Sequence, residues 1–169
     1  MRPGRIDRVL RSVWISNPIH RRNKSMSRIK LHALDAYPFH TDIRVRTTDL
    51  NYGGHLGNDK LLSLIHEARV AFLAHHGFTE LDCGGVSLIM GDVVIVYKGE
   101  AFAGDVLRFE VAAGDPSRRG FRLFFRVTRP ADGSLIALVE NGMVCFDYES
   151  RSIKPLPDAL KNLCTVTGT

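Results

Sequence analysis

The chain carries two hydrophobic patterns of different period, one directly after the other. From Phe39 to Thr47 apolar side chains alternate with polar or charged ones, the period-two pattern of a strand with one buried face. From Asn58 to His76 apolar residues recur at helical spacing, and Gly77 supplies a stop signal. The patterns predict a first strand followed by one long amphipathic helix.

Four further segments are rich in Val, Ile, Leu and Phe and are separated by short turn signals. Short turns favour antiparallel pairing of successive strands, because a parallel crossover needs a dozen or more residues. We therefore predict an α+β fold in which a sheet of five strands packs on one long helix, with a short helix in the tail from Pro155 to Leu163. The four additional strands are predicted at Val86 to Lys98, Asp105 to Ala113, Gly120 to Arg129 and Leu135 to Tyr148.

A polar, glycine-bearing segment, LNYGGHLGN at residues 50–58, joins the first strand to the long helix. The first backbone N–H groups of a helix have no intrahelical partner, and the helix dipole is positive there. Such a place can stabilise a carbonyl oxygen that gains negative charge. The segment therefore indicates acyl-transfer chemistry.

The net charge of +5 is unevenly distributed: residues 1–30 carry +8, so the remainder is mildly acidic at −3. We interpret residues 1–33 as a basic, disordered N-terminal arm, with Met26 as a possible native start and organelle targeting as a less favoured explanation. Residues 34–169 are predicted to form a single domain. No nucleic-acid recognition module is evident in that domain, so we expect no nucleic-acid partner.

Three widely spaced cysteines occur without a CxxC or Cys/His metal spacing, which favours reduced thiols in a cytoplasmic protein without a metal site. No apolar run approaches the roughly 20 residues that span a bilayer, so we expect no membrane association.

In their order and spacing, four motifs resemble the hotdog-fold acyl-CoA thioesterases of the 4-hydroxybenzoyl-CoA thioesterase type. The resemblance covers residues 37–163, nearly everything after the arm. The motifs are VRTTDLNYGGHLGN at 45–58, HEARVAFLAHHG at 66–77, VYKGEAFAGD at 96–105 and FDYESRSIKPLPDAL at 146–160.

The resemblance implies a hotdog fold, in which five antiparallel strands wrap one long central helix. It also implies a homodimer that often pairs into tetramers, active sites at the dimer interface, and hydrolysis of a thioester without metal or organic cofactor. The acidic catalytic position of the family falls on Asn51, and an amide cannot act as general base or carboxylate nucleophile. The base must then come from elsewhere, with Glu67 on the helix as first candidate and Asp49 as second.

The remaining candidates surround the same loop. Asn51 is interpreted either as a water-orienting or carbonyl-orienting group or as a turn residue closing the strand. His55 is a candidate hydrogen-bond donor or acid toward the departing thiolate, and otherwise a packed loop residue. Gly53 and Gly54 are candidates for a loop whose N–H groups approach the thioester oxygen. Candidates for substrate binding are Tyr52, Asn58 (otherwise an N-cap), Lys98 and Arg151.

The predicted function is hydrolysis of an acyl-CoA to a free acid and coenzyme A. A noncatalytic acyl-CoA-binding or regulatory protein is the alternative, because Asn51 replaces the expected acid. A hotdog hydratase or dehydratase is less favoured, since the Asn-Pro pair is absent and the histidine lies one position too far along.

Overall fold

The computed structural model describes residues 29–165. Most of the predicted basic arm, residues 1–28, and the last four residues of the predicted domain lie outside this range. A short 3-10 turn, Thr47–Asp49, follows the first strand. The elements are β1 Phe39–Arg44, α1 Asn58–His75, β2 Ser87–Tyr97, β3 Val106–Gly114, β4 Gly120–Arg129, β5 Ser134–Asp147, β6 Ser152–Ile153 and α2 Asp158–Thr165.

The strands form one antiparallel sheet in the order β1-β3-β4-β5-β2, with β6 paired to β5. The α+β class and the antiparallel pairing of the strands agree with the sequence prediction. The sheet has six strands rather than five, because the chain folds back after a turn at residues 148–151 and adds the two-residue β6.

One pairing differs from the expectation that successive strands are neighbours. β2 and β3 follow each other along the chain but do not pair: β2 lies at the sheet edge beside β5, whereas β3 lies between β1 and β4. The connecting segment, residues 98–105, therefore crosses from one side of the sheet toward the other. It passes the start of α1 on the way, where Leu56 N–H donates to Ala101 O at 2.8 Å.

Helix α1 and the sheet share one hydrophobic core. The buried face of α1 includes Leu61, Ile65, Phe72 and Leu73, and these side chains belong to the same cluster as buried residues of β3, β4 and β5. Burying each such side chain contributes roughly 1.5–3 kcal/mol. This packing fixes α1 against the sheet and thereby fixes the loop that leads into it.

The chain enters α1 through two tight features. Asp49 Oδ2 accepts the backbone N–H of Arg46 at 2.8 Å and closes the 3-10 turn, which ends β1 three residues earlier than the alternation predicted. Gly57 is the N-cap, and Leu61 N–H makes the first intrahelical bond to Gly57 O at 2.9 Å. The predicted stop is confirmed, because Gly77 has a φ of 77° directly after the helix.

Candidate functional site

The loop before α1 is held closed by its own backbone. Leu50 and Leu56 form an isolated antiparallel bridge, and Asn51 N–H donates to His55 O at 2.9 Å. Gly54 N–H donates to Asn51 O at 3.0 Å, and Gly54 adopts a φ of 77°, which a glycine reaches without strain. The loop is therefore a defined structure that presents its side chains in one orientation.

Asn51 makes two contacts with different ends of its amide. Its Oδ1 accepts the N–H of Gly53 at 2.8 Å, the hydrogen bond of an Asx turn. Because that N–H requires an acceptor, the oxygen is assigned to this side and Nδ2 faces His55, 3.5 Å from its Nδ1. The geometry fits the interpretation of Asn51 as a turn residue, and the amide also keeps an N–H donor directed at a histidine. The role of Asn51 in orienting water or a carbonyl stays a prediction.

The backbone N–H groups of Gly53 and Gly54 are both engaged within the loop. The prediction that these two amides approach a thioester oxygen does not fit this geometry. The amides of Asn58, Asp59 and Lys60 instead precede the first intrahelical bond, so they are the donors that the helix leaves without an intrahelical acceptor. Asn58 is thus the first helical residue, not the N-cap.

A cavity of about 300 Å³ lies at this end of α1. Its wall combines apolar side chains with a few polar groups, as ligand sites commonly do. Asn51, His55 and Asn58, three of the predicted site residues, lie together in it. The lining residues are Asn51, His55, Leu56, Asn58, Leu61, Tyr97, Gly99, Glu100, Ala101 and Ile136.

His55 has a polar group near each ring nitrogen. Nδ1 lies 3.5 Å from Asn51 Nδ2 and 3.4 Å from Leu56 O, and Nε2 lies 4.0 Å from Glu100 Oε1. On the other wall Tyr97 donates its hydroxyl hydrogen to Asn58 O at 3.2 Å. Burial, and after it the charge of Asp59, raises the pKa of Tyr97, so the hydroxyl remains protonated at neutral pH.

The two predicted carboxylates do not line this cavity. The Asp49 side chain is buried and turned back onto the backbone of Arg46. Glu67 is exposed on α1, nine residues beyond Asn58, which is roughly 13.5 Å along a helix axis. Within one chain, neither carboxylate stands where Asn51 and His55 meet.

The predicted substrate-binding residues are dispersed. Tyr52 is fully exposed at the loop tip, and Lys98 is exposed next to the cavity residue Gly99. Arg151 lies in the β5–β6 turn with a φ of 49°. Because Ile136 lines the cavity and β5 continues to Asp147, the turn lies roughly 35 Å along the strand from the site.

Sequence reasoning missed two cavity residues, Tyr97 and Glu100. Both belong to the motif VYKGEAFAGD, which contributed to the resemblance without yielding a site residue. The motif spans the end of β2 and the crossing segment, and the crossing brings it to the loop some 45 residues earlier. From the sequence alone, a glutamate in a turn-like segment is interpreted as a solvated surface residue, because the crossing that brings it to the cavity is not visible there.

Residues 29–165 contain neither a metal-binding cluster nor a helix that could span a membrane. No group of three or more His, Cys, Asp or Glu side chains is placed to hold a metal ion in this part of the chain. No helix in the same range has the length and apolar character needed to cross a membrane.

Comparison with known proteins gives a consistent family. The family model described as the thioesterase-like superfamily matches residues 45–163. A 1,4-dihydroxy-2-naphthoyl-CoA hydrolase from Synechococcus elongatus is 30% identical over 137 residues, which cover 78% of this chain and 97% of the relative.

Solved structures share the fold. A 1,4-dihydroxy-2-naphthoyl-CoA thioesterase from Synechocystis matches with a TM-score of 0.67 and 20% identity, covering 75% of this chain and 95% of its own. A Staphylococcus aureus protein in complex with CoA matches with a TM-score of 0.66 and 18% identity, covering 79% and 85% respectively. At these identities the likeness establishes the hotdog α+β fold, with its antiparallel sheet and helices.

Proposed function

We propose, from the premise that this chain belongs to the thioesterase-like superfamily, that it is an enzyme hydrolysing acyl-CoA thioesters to a carboxylic acid and coenzyme A. The observation that carries the proposal is the cavity at the start of α1, where Asn51, His55 and the first helical residue, Asn58, meet. The proposal includes water as the second reactant and no metal or organic cofactor.

The chemistry follows from the start of the helix. The thioester carbonyl oxygen accepts hydrogen bonds from the first amides of α1, which have no intrahelical acceptors and carry the positive end of the dipole. These bonds strengthen as the oxygen becomes negative in the transition state. Removing one such donor in other hydrolases costs about 10²–10³ in kcat. Asn51 Nδ2 holds His55 in orientation beside the reacting carbon.

The acyl group occupies the apolar part of the cavity. Leu56, Leu61 and Ile136 line it, and about 300 Å³ suits one or two fused rings or a short chain better than a long fatty acyl chain. The Synechococcus relative acts on a naphthoyl-CoA, which supports an aromatic acyl group here. We therefore propose an aromatic or short acyl-CoA as substrate.

The proposal includes a homodimer, formed along β2. Among the described residues β2 pairs only with β5, so its other backbone edge is open. Val93 to Val96 are half-buried, and Met90 and Tyr97 are exposed on this edge. A long apolar edge strand normally pairs with another strand or is covered by other elements. In the homodimer, β2 of a second copy would pair antiparallel with this edge. Pairing of two such dimers into a tetramer remains part of the same prediction.

Three finer features complete the proposal. The five long strands wrap α1, which their shared core supports. Lys98 beside the cavity contacts a phosphate of coenzyme A, whereas Arg151 can do so only in the site of a second copy, because of its distance along β5. The protein works in the cytoplasm, which the buried, unpaired thiols of Cys83 and Cys145 support.

The first test is thiol release, measured with a thiol-reactive dye on aromatic, short, medium and long acyl-CoAs. We expect turnover that is fastest on an aromatic or short member. The native protein adds little background, since its three cysteines are buried and burial raises the pKa of Cys83 to about 12 and that of Cys164 to about 11. Tight acyl-CoA binding without thiol release from any member would favour the noncatalytic alternative.

The assembly is tested separately by sedimentation of the wild-type protein over a range of concentrations. We expect a mass of two or four chains at micromolar concentration. A single-chain mass together with full turnover would contradict the dimer and leave the hydrolase proposal intact.

A further inference from the structure

Glu100 is the only carboxylate among the described residues that line the cavity. Its side chain is 67% exposed, so water reaches it, and its Oε1 lies 4.0 Å from His55 Nε2. The position expected to carry an acid is Asn51, which cannot take a proton from water. The cavity therefore contains one group with the chemistry that the amide lacks.

The contacts of His55 favour one tautomer. The Asx turn directs Asn51 Nδ2, a donor, at Nδ1, and the carboxylate of Glu100 faces Nε2. Both neighbours fit an imidazole that accepts at Nδ1 and carries its proton on Nε2; only Leu56 O fits the reverse. A polar chain thus runs from the Asn51 amide through His55 to the Glu100 carboxylate.

The backbone around Glu100 is held by contacts from two segments, strand β4 and the loop before α1. Arg129 Nη1 donates to Glu100 O at 3.3 Å and to Asp105 Oδ2 at 2.8 Å, and Leu56 N–H donates to the adjacent Ala101 O. The partner carboxylates, Asp132 and Asp105, raise the pKa of Arg129, so its charge persists at every working pH. Glu100 is therefore an exposed side chain on a braced backbone, the arrangement that a positioned base requires.

We infer that Glu100 is the general base of the hydrolysis, held in position by His55. This rests on the proposed function. A carboxylate oxygen of Glu100 takes a proton from water as the water oxygen bonds to the thioester carbon and the carbonyl electron pair moves onto its oxygen. The tetrahedral intermediate then re-forms the carbonyl and breaks the C–S bond. The electron pair leaves on sulfur, and the proton held by Glu100 passes to the thiolate.

The test compares three conservative substitutions on the best substrate of the panel. We expect Glu100→Gln to lower kcat/KM by about 10²–10⁴, the usual contribution of general base catalysis, with unchanged affinity for coenzyme A. The acid limb of the wild-type pH profile should disappear in Glu100→Gln, because that limb reports protonation of the base. Glu67→Gln and the exposed turn variant Glu149→Gln should each stay within about threefold of wild type.

A second variant separates lost chemistry from lost folding. Glu100→Ala should be inactive, and added formate should restore part of its turnover by replacing the carboxylate. If the wild type turns over substrate and Glu100→Gln has the same kcat/KM and the same acid limb, the inference about Glu100 is overturned. The hydrolase proposal then still stands. Loss in Glu67→Gln alone assigns the base to a second copy. No turnover by wild type on any substrate refutes the proposed function itself.

Discussion

At the scale of single residues, Asn51 uses the two ends of its amide in different contacts. The acceptor end of its amide closes the Asx turn with Gly53, and the donor end faces His55. An aspartate at this position would keep the first contact and lose the second, because an ionised carboxylate only accepts hydrogen bonds. Changing Asn51 to aspartate should therefore alter the orientation of His55 without altering the shape of the loop.

Two substitutions at Asn51 measure these roles independently. Asn51→Asp should leave the free energy of unfolding within about 0.5 kcal/mol of wild type, since the turn contact survives. It should lower kcat roughly ten- to a hundredfold through misorientation of His55. Asn51→Ala should lose the same activity and also about 1 kcal/mol of stability, because the Gly53 N–H loses its acceptor.

Urea unfolding and steady-state kinetics on the two purified variants provide both measurements. Equal losses of stability in the two variants would show that the Asx contact does not hold the loop. Full activity in Asn51→Asp would show that the donor toward His55 is dispensable.

At the scale of elements, local sequence patterns predicted where the strands lie better than they predicted which strands pair. The bounds of β4, Gly120–Arg129, follow from the alternation and its flanking turn signals, and the structure has the same bounds. β1 stops early because the Asp49 side chain captures the Arg46 N–H, a contact that apolar periodicity does not register. Local signals of this kind report which segment is a strand but not which strand lies beside it.

The candidate site shows the same division. Asn51, His55 and Asn58 lie within eight residues of one another and were predicted together from one loop and one helix start. Glu100 could be recognised as a site residue only from the structure, because the crossing from β2 to β3 brings residues 98–105 against that loop. The crossing depends on β2 pairing with β5, a contact between segments some 50 residues apart. No spacing rule within the sequence encodes it.

The pairing of β4 with β5 is sensitive to volume at Gly120. A Cβ added there would overlap the backbone carbonyl of Met143, which cannot move without shifting β5. Gly120→Ala should therefore lower the free energy of unfolding by about 3 kcal/mol, the upper part of the range for overpacking. Urea unfolding monitored by circular dichroism gives the value.

Gly142→Ala is the matched control on the neighbouring strand. Its Cβ would overlap the Asp92 carboxylate, which is exposed and can rotate away from Arg122 at the cost of one surface ion pair. We expect a loss of about 1 kcal/mol or less. If both variants lost the same stability, side-chain volume rather than the immobile backbone would set the cost at Gly120.

At the scale of the whole molecule, the charge distribution separates residues 1–30 from the rest of the chain. Residues 1–30 carry +8 against −3 for the rest, and residues 1–28 lie outside the described part of the chain. Deleting residues 1–28 should leave kcat/KM within about twofold of the full chain at moderate salt, because every residue that lines the described cavity lies between Asn51 and Ile136. A larger loss in the truncated protein would give the arm a direct role in binding the anionic substrate.

The stability of the folded chain should fall on the acid side of neutrality, and His76 is one cause. Its Nε2 is buried without a hydrogen-bond partner, and its ring packs 4.8 Å from that of Phe72. Burial, and after it the charge of His75, lowers the pKa of His76 in the folded state. Below about pH 6.5 His76 therefore binds a proton in the unfolded chain more readily than in the folded chain. The free energy of unfolding consequently falls as the pH falls.

His76→Gln removes this titration. Its urea midpoint should fall less between pH 7.5 and 5.5 than that of wild type, even if its stability at pH 7.5 is lower through the lost ring contact. Parallel slopes for the two proteins would show that the proton linked to unfolding in this pH range binds elsewhere, because a stabilising contact without a protonation difference shifts the curve and leaves its slope unchanged.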